Sequence, residues 1–180
     1  MKAFIILMAL AVCADSSITL GIKTKVRKDE YLIVPGFGAE SVILQDKKFD
    51  IRSILGQEKY TISQTQRLFD IFIDVLGVKG LPSVSFNCIY FVENKSVMYF
   101  IENDHVVAIA GLRCNRVTID LVELHRGVRH VLSRYNQTRM VKNEIKGNVI
   151  FVFPEIGFAI ADDNNDNVID FYIVFSKIIT

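Results

Sequence analysis

The chain has 180 residues, with 21 basic side chains, 20 acidic side chains and a formal net charge of +1 at pH 7. Proteins that bind nucleic acids carry a basic stripe, whereas the arginines here are mixed with apolar and acidic residues. Apolar residues make up 51% of the chain, which is enough for one hydrophobic core, and no Pro/Gly/Ser-rich linker divides it. We therefore expect a single domain and no nucleic-acid partner.

The N-terminus has the residue order of a secretory signal peptide. Lys2 precedes an apolar run over residues 3–12, and Val12 and Ala14 occupy the −3 and −1 positions of a cleavage site between Ala14 and Asp15. The run is too short to span a bilayer, which requires roughly 20 apolar residues. We therefore predict a signal peptide at 1–14, a single secreted β-rich domain at 15–180, an extracellular location and no membrane attachment after cleavage.

Cleavage would remove Cys13 and leave Cys88 and Cys114 as the two cysteines of the mature domain. In an oxidising compartment such a pair predicts one disulfide, and two buried free thiols are the alternative. The sequons Asn94-Lys95-Ser96 and Asn136-Gln137-Thr138 predict glycosylation of Asn94 and Asn136 on exposed turns.

Short clusters of β-branched and aromatic residues predict a mainly β fold of antiparallel meander sheets. Turn-forming residues separate many of these clusters, as at Pro35-Gly36 and at Glu102-Asn103-Asp104. The predicted strands are YLIV (31–34), SVIL (41–44), CIYFV (88–92), SVMYFI (96–101), VVAIA (106–110), NVIFVF (148–153) and DFYIVF (170–175).

Two segments leave open an α+β fold with one or two helices. The segment from Ser63 to Gly77 has a capping serine, apolar residues on one helical face and a glycine at its end. The segment from Asp120 to Tyr135 has apolar residues at helical spacing. It could equally form a hairpin that turns at His125-Arg126-Gly127.

A run of Asp and Asn residues near the C-terminus is a candidate calcium site. Asp162, Asn164, Asp166 and Asp170 stand at positions 1, 3, 5 and 9 of the loop and are the candidate ligands. Alternate side chains can point inward, so the first three can face one cation, and calcium takes six to eight oxygen ligands. Asn167 stands where such loops often carry glycine, and Asn is the best substitute for glycine in a left-handed turn. The alternative is a solvated tight turn between two strands.

Residues 157–174, GFAIADDNNDNVIDFYIV, resemble the calcium loops of integrin-type β-propellers, in which a strand enters and another leaves. Residues 30–46, 92–109 and 157–168 also resemble blades of secreted insect β-propeller proteins related to the ommochrome-binding proteins of moths. Because the chain is shorter than a full propeller ring, this resemblance implies a partial or truncated β-propeller. It also implies a small aromatic ligand, no catalysis and self-association through exposed sheet edges.

Enzyme signatures are weak in this sequence. Pro35-Gly36-Phe37-Gly38 partly matches a dinucleotide-binding loop, but Ser41 replaces the third glycine, so we predict a turn. His125 and His130 are five residues apart, which does not suit a zinc pair on one helix. We therefore predict a secreted non-catalytic binding protein that holds a small apolar or aromatic ligand such as a pigment. The alternative is an extracellular structural or interaction protein with a calcium-stabilised Asp/Asn loop.

Overall fold

The computed structural model describes residues 22, 32–39, 41–47, 77–82, 86, 88–92, 96–112 and 116–178. This part of the chain is mainly β, which confirms the predicted class. Its strands form two sheets, and within it they close neither a barrel nor a propeller. The predicted signal peptide and the possible helix from Ser63 to Leu76 lie outside the described residues. Among the helices that are described, none has the length and apolar character needed to cross a membrane.

Eleven strands, one 3-10 helix and one α-helix have bounds within the described residues. They are β1 (Leu32–Val34), β2 (Gly38–Ala39), β3 (Val42–Ile43), β4 (Cys88–Val92), β5 (Val97–Glu102), β6 (His105–Leu112), β7 (Val117–Thr118), the 3-10 helix η1 (Leu124–Arg126), α1 (Val128–Arg134), β8 (Val141–Ile145), β9 (Asn148–Phe153), β10 (Phe158–Asp162) and β11 (Phe171–Phe175).

The large sheet has seven antiparallel strands in the order β4-β5-β6-β11-β10-β9-β8. It consists of two meanders, β4–β6 and β8–β11, which meet where β6 pairs with β11 and Gly111 lies opposite Tyr172. The small sheet has the order β3-β2-β1-β7, in which only the pairing of β1 with β7 is parallel. The predicted antiparallel meanders are therefore present in the large sheet.

Both faces of the large sheet are buried. One face carries large side chains such as Tyr99 and Tyr172 and packs against the small sheet, η1 and α1. The other face combines Phe100 with small side chains, which are Ala108, Ala110, Ala159 and Ala161. Strands buried on both faces are continuous apolar runs rather than alternating ones, which explains why these segments could be recognised in the sequence.

Each of the seven predicted strand segments contains a strand. β2, β7 and β8 were not predicted, and β10 was expected only from the resemblance of residues 157–174 to a strand–loop–strand calcium loop. β8 was missed because its sequence is VKNEI, with Lys142 and Glu144 exposed and joined by an ion pair of 2.7 Å. β8 is an edge strand, and charged side chains at an edge hinder pairing with another chain. Self-association through sheet edges stays a prediction.

The segment from Asp120 to Tyr135 is helical from Leu124 onwards, rather than a hairpin that turns at His125-Arg126-Gly127. It forms η1 and then α1, and the two helices are separated by Gly127, whose φ is +88°. That backbone conformation favours glycine and prevents the two from forming one continuous helix. The helical spacing of the apolar residues therefore predicted this segment correctly, and the alternative hairpin is wrong.

The turn at Pro35-Gly36 is confirmed, and it joins the two sheets. The Gly36 N–H, in a residue with φ of +69°, donates a hydrogen bond of 3.0 Å to the carbonyl of Gly157. A Cβ on Gly157 would lie 2.6 Å from Gly36 Cα, so the two backbones approach too closely for side chains. Glycine at both positions holds the β1–β2 turn against the β9–β10 turn.

We predict that Gly111→Ala destabilises the fold by about 1–3 kcal/mol, the usual cost of overpacking a core. A Cβ at this position would lie 2.5 Å from Tyr172 Cζ, because the tyrosine ring crosses the strand above the glycine. Urea unfolding measures the change in the free energy of unfolding. The cost should fall when the same substitution is made beside Tyr172→Leu. An equal cost in both backgrounds would contradict this explanation.

Candidate functional site

The Asp/Asn run forms the loop between β10 and β11. The Asp170 N–H donates to the carbonyl of Ala161 at 2.9 Å and closes the loop at its base. Asp162 ends β10 and is only 2% exposed, Asn164 and Asp166 are exposed, and Asp170 is half-buried. The strand–loop–strand layout predicted from the sequence is therefore present, with all four candidate calcium ligands in or beside the loop.

Backbone N–H groups within the loop bind its carboxylates. The two oxygens of Asp162 accept hydrogen bonds from the N–H groups of Asp166, at 3.0 Å, and Asn167, at 2.9 Å. Asp166 Oδ1 accepts from the N–H of Val168 at 2.8 Å. Hydrogen bonds to an ionised acceptor are stronger than neutral ones, and they compensate the cost of burying the Asp162 charge. The loop is thus organised around Asp162.

Several negative charges meet at this end of the large sheet. Asp170 Oδ2 accepts a hydrogen bond of 2.6 Å from the N–H of Asp163. Burial raises the pKa of Asp170, the hydrogen bond from Asp163 lowers it, and the charges of Asp163, Asp166 and Asp162 raise it. A bound cation would relieve such repulsion.

The described residues, as they are placed, include no group of three or more His, Cys, Asp or Glu side chains that could hold a metal ion. The carboxylate oxygens of the loop are directed largely at its own backbone instead. Calcium binding therefore stays a prediction.

Asn167 connects the loop to α1. Its φ is +73°, which confirms the left-handed turn expected at this position. Its carbonyl accepts from the Val128 N–H at 3.0 Å, and its Oδ1 accepts from the Arg129 N–H at 2.8 Å. Gly127 leaves room for this contact, since a Cβ there would lie 2.7 Å from Asn167 Nδ2. Asn167 therefore caps the first turn of α1.

This cap could not be found by reading along the chain. Helix caps are recognised from a Ser, Thr, Asp or Asn just before the first helical residue, but Arg126 and Gly127 precede Val128. The capping residue, Asn167, stands 38 positions after Arg129, whose N–H it binds. The sequence signal was only indirect, namely a helix without a local cap.

Thr118 and Tyr135 form a polar pair inside the aromatic core. The Tyr135 hydroxyl donates to Thr118 Oγ1 at 3.2 Å, and the same oxygen accepts from the Val122 N–H at 3.2 Å. The ring of Tyr135 packs against Phe153 and Phe158, at centroid distances of 5.5 and 6.3 Å. Burial raises the pKa of Tyr135 from 10.0 to about 12. The pair connects the end of α1 to β7.

The remaining predicted sites are only partly within the described residues. Cys88 is the first residue of β4 and pairs with Ile101 near the end of β5. Cys114 lies outside the described residues. The last described residue before it, Leu112, ends β6 and bonds to Ser96 directly before the start of β5. Asn94 also lies outside, while Asn136 is exposed in the turn after α1. The disulfide and both glycosylation sites stay predictions.

Comparison with known proteins does not place the chain in a family. No protein-family model, no curated protein and no solved structure matches it. The resemblance to the ommochrome-binding proteins of moths therefore stays a prediction from the sequence. The fold and the loop define a mainly β protein in which an Asp/Asn loop caps a helix that covers the aromatic face of the large sheet.

We predict that Asp162→Ala destabilises the protein by about 2–4 kcal/mol, because it removes two charge-assisted hydrogen bonds from the loop. Asp163→Ala is the matched control, since it removes one negative charge from an exposed neighbour and should change stability by less than about 0.5 kcal/mol. Urea unfolding compares the two variants. Equal effects would show that Asp162 acts through charge alone.

We predict a loss of stability at alkaline pH that depends on Tyr135. Unfolded tyrosine ionises near its ordinary pKa of 10.0, whereas Tyr135 keeps its proton until about pH 12 in the folded state. Between these values the folded state binds more protons, so stability falls as pH rises, by about 2–3 kcal/mol in total. Urea unfolding across this range should show a shallower decline for Tyr135→Phe. Parallel pH profiles would contradict the assignment.

Proposed function

We propose that the chain is a secreted, non-catalytic binding protein that holds a small apolar or aromatic ligand, such as a pigment. The signal-peptide pattern of residues 1–14 supports export, and the resemblance to pigment-binding proteins supports the ligand class. The observation that carries the proposal is the layer of aromatic side chains between the large sheet and the helix that covers it.

In this layer Phe153 and Phe158 stack with a centroid distance of 6.4 Å, and Tyr135 contacts both rings. Tyr99 and Tyr172 belong to the same hydrophobic cluster. Apolar and aromatic walls with a few polar groups are typical of small-molecule sites, and the Thr118–Tyr135 pair supplies such groups here. Because the rings already contact one another, we expect a ligand to enter by displacing side chains.

We further propose that the large sheet derives from a partial β-propeller. A propeller blade is a four-stranded antiparallel meander, and β8–β11 has this number of strands and this connectivity. The β4–β6 meander would then be an incomplete blade. In this chain the two meanders continue one sheet by pairing β6 with β11, whereas the blades of a propeller are separate sheets.

The second candidate is an extracellular structural or interaction protein stabilised by calcium at the Asp/Asn loop. It is favoured by one observation, the gathering of the carboxylates of Asp162, Asp163, Asp166 and Asp170 in one loop. Burial raises the pKa of Asp170, and the charges of the other three carboxylates raise it further. Asp162, Asn164, Asp166 and Asp170 would supply the oxygen ligands. A cation there would stabilise the loop and, through Asn167, the start of α1.

Thermal melts separate the two candidates. We expect a planar aromatic dye, such as a phenoxazinone, to raise the melting temperature, and a calcium chelator to leave it unchanged. A ligand at a hundred times its dissociation constant stabilises the folded state by about 2.7 kcal/mol. A melting temperature that falls with chelator, recovers with calcium and ignores the dye would favour the second candidate.

Two core variants locate the dye within the fold. Phe158→Leu removes a ring from the aromatic layer, and Phe100→Leu removes one from the opposite face of the sheet; both rings are fully buried. The stabilisation by the dye should fall for Phe158→Leu and persist for Phe100→Leu. Equal loss in both variants would indicate general loosening of the core instead of binding in this layer.

A further inference from the structure

We propose that Asn136 is a glycosylated residue, with an N-linked oligosaccharide on its Nδ2 atom. The sequence predicts glycosylation at both sequons, and the structure describes the surroundings of Asn136, whereas Asn94 lies outside the described residues. The inference goes beyond ligand binding and requires from the proposed function only that the chain is exported.

The sequon forms an exposed turn directly after α1. The helix ends with Arg134, Tyr135 is buried, Asn136 and Gln137 are exposed, and Thr138 is half-buried. The Thr138 N–H donates to the carbonyl of Tyr135 at 2.9 Å and closes the turn. A transferase needs access to the asparagine amide and to the threonine two residues later, and this turn presents both at the surface.

Tyr135 attaches the turn to the core. The Tyr135 ring packs against Phe153 and Phe158, and its hydroxyl binds Thr118. Because this residue carries the packing, a bulky hydrophilic group on the next residue displaces no core contact. Glycosylation at Asn136 is therefore compatible with the folded protein.

The transfer uses an oligosaccharide linked to a lipid pyrophosphate as its donor. The bond between the anomeric carbon of the sugar and the pyrophosphate oxygen breaks, and a bond forms from that carbon to Asn136 Nδ2. The amide loses one proton, which the released lipid pyrophosphate takes up, and nothing is oxidised or reduced. This donor and its transferase act in the secretory pathway, so the proposal depends on export.

The test is peptide mapping of the full chain secreted from eukaryotic cells. An amidase that releases N-glycans converts the modified asparagine to aspartate, and heavy-oxygen water marks that residue by mass. We expect the mark at Asn136 in the natural chain and in Thr138→Ser, which keeps the sequon. Asn136→Gln and Thr138→Ala should lose it. Asn94→Gln is the control for the other sequon, which lies outside the described residues, and it should leave the mark unchanged.

Secreted protein with Asn136 unmodified would overturn the proposal. If the chain is retained in the cell, the same mapping on protein made behind a heterologous signal peptide separates the two ideas. The mark at Asn136 in that material supports the glycosylation site and shows that residues 1–14 fail as an export signal. An unmodified Asn136 there overturns the site itself.

Discussion

Burial of both faces of the large sheet is the constraint on which the rest of the structure depends. Its inner strands carry apolar side chains on each side, so neither face is stable in water. The aromatic face needs a cover, and the small sheet, η1 and α1 provide it. These covering elements are short: α1 has only seven residues, and β2, β3 and β7 have two each.

Elements this short do not stay in place through their own hydrogen bonds, because a helix of seven residues is marginal in water. Two backbone attachments to the turns of the large sheet compensate. Gly36 binds Gly157 at the β9–β10 turn, and Asn167 of the β10–β11 loop caps α1. The turns of the sheet therefore determine where the cover lies. The Asp/Asn loop has a structural role that does not require a metal.

This attachment connects the two candidate functions. A cation in the loop would change the surroundings of Asn167, which binds the first N–H groups of α1, and α1 leads to Tyr135 in the aromatic layer. A ligand that displaced Tyr135 would act on the same helix from its other end. Occupancy at one site would therefore alter the free energy of binding at the other, and the coupling would be reciprocal.

The sequence predicted the features that depend on local chemistry. Residues 149–153 are apolar throughout, and with Asn148 they form β9 at the predicted bounds. Asn167 adopts the left-handed conformation expected of an asparagine in place of glycine. It could not predict features that depend on distant contacts. The pairing of β6 with β11 and the cap on α1 both join residues far apart in the chain, and two-residue strands such as β7 leave no periodic pattern.

The ligand site is the hardest part to read for a physical reason. A ring packed against another ring and a ring packed against a ligand require the same residue types, so the composition that favoured a pocket also describes a filled core. In the structure the rings of Phe153, Phe158 and Tyr135 pack against one another, and the Tyr135 hydroxyl donates a hydrogen bond to Thr118. The ground state of this layer thus needs no ligand. Binding depends on whether the free energy gained by a guest exceeds that of the ring contacts and the hydrogen bond it displaces, each about 0.5–1.5 kcal/mol. That sum is small enough for a planar aromatic molecule to offset, provided that α1 can move aside.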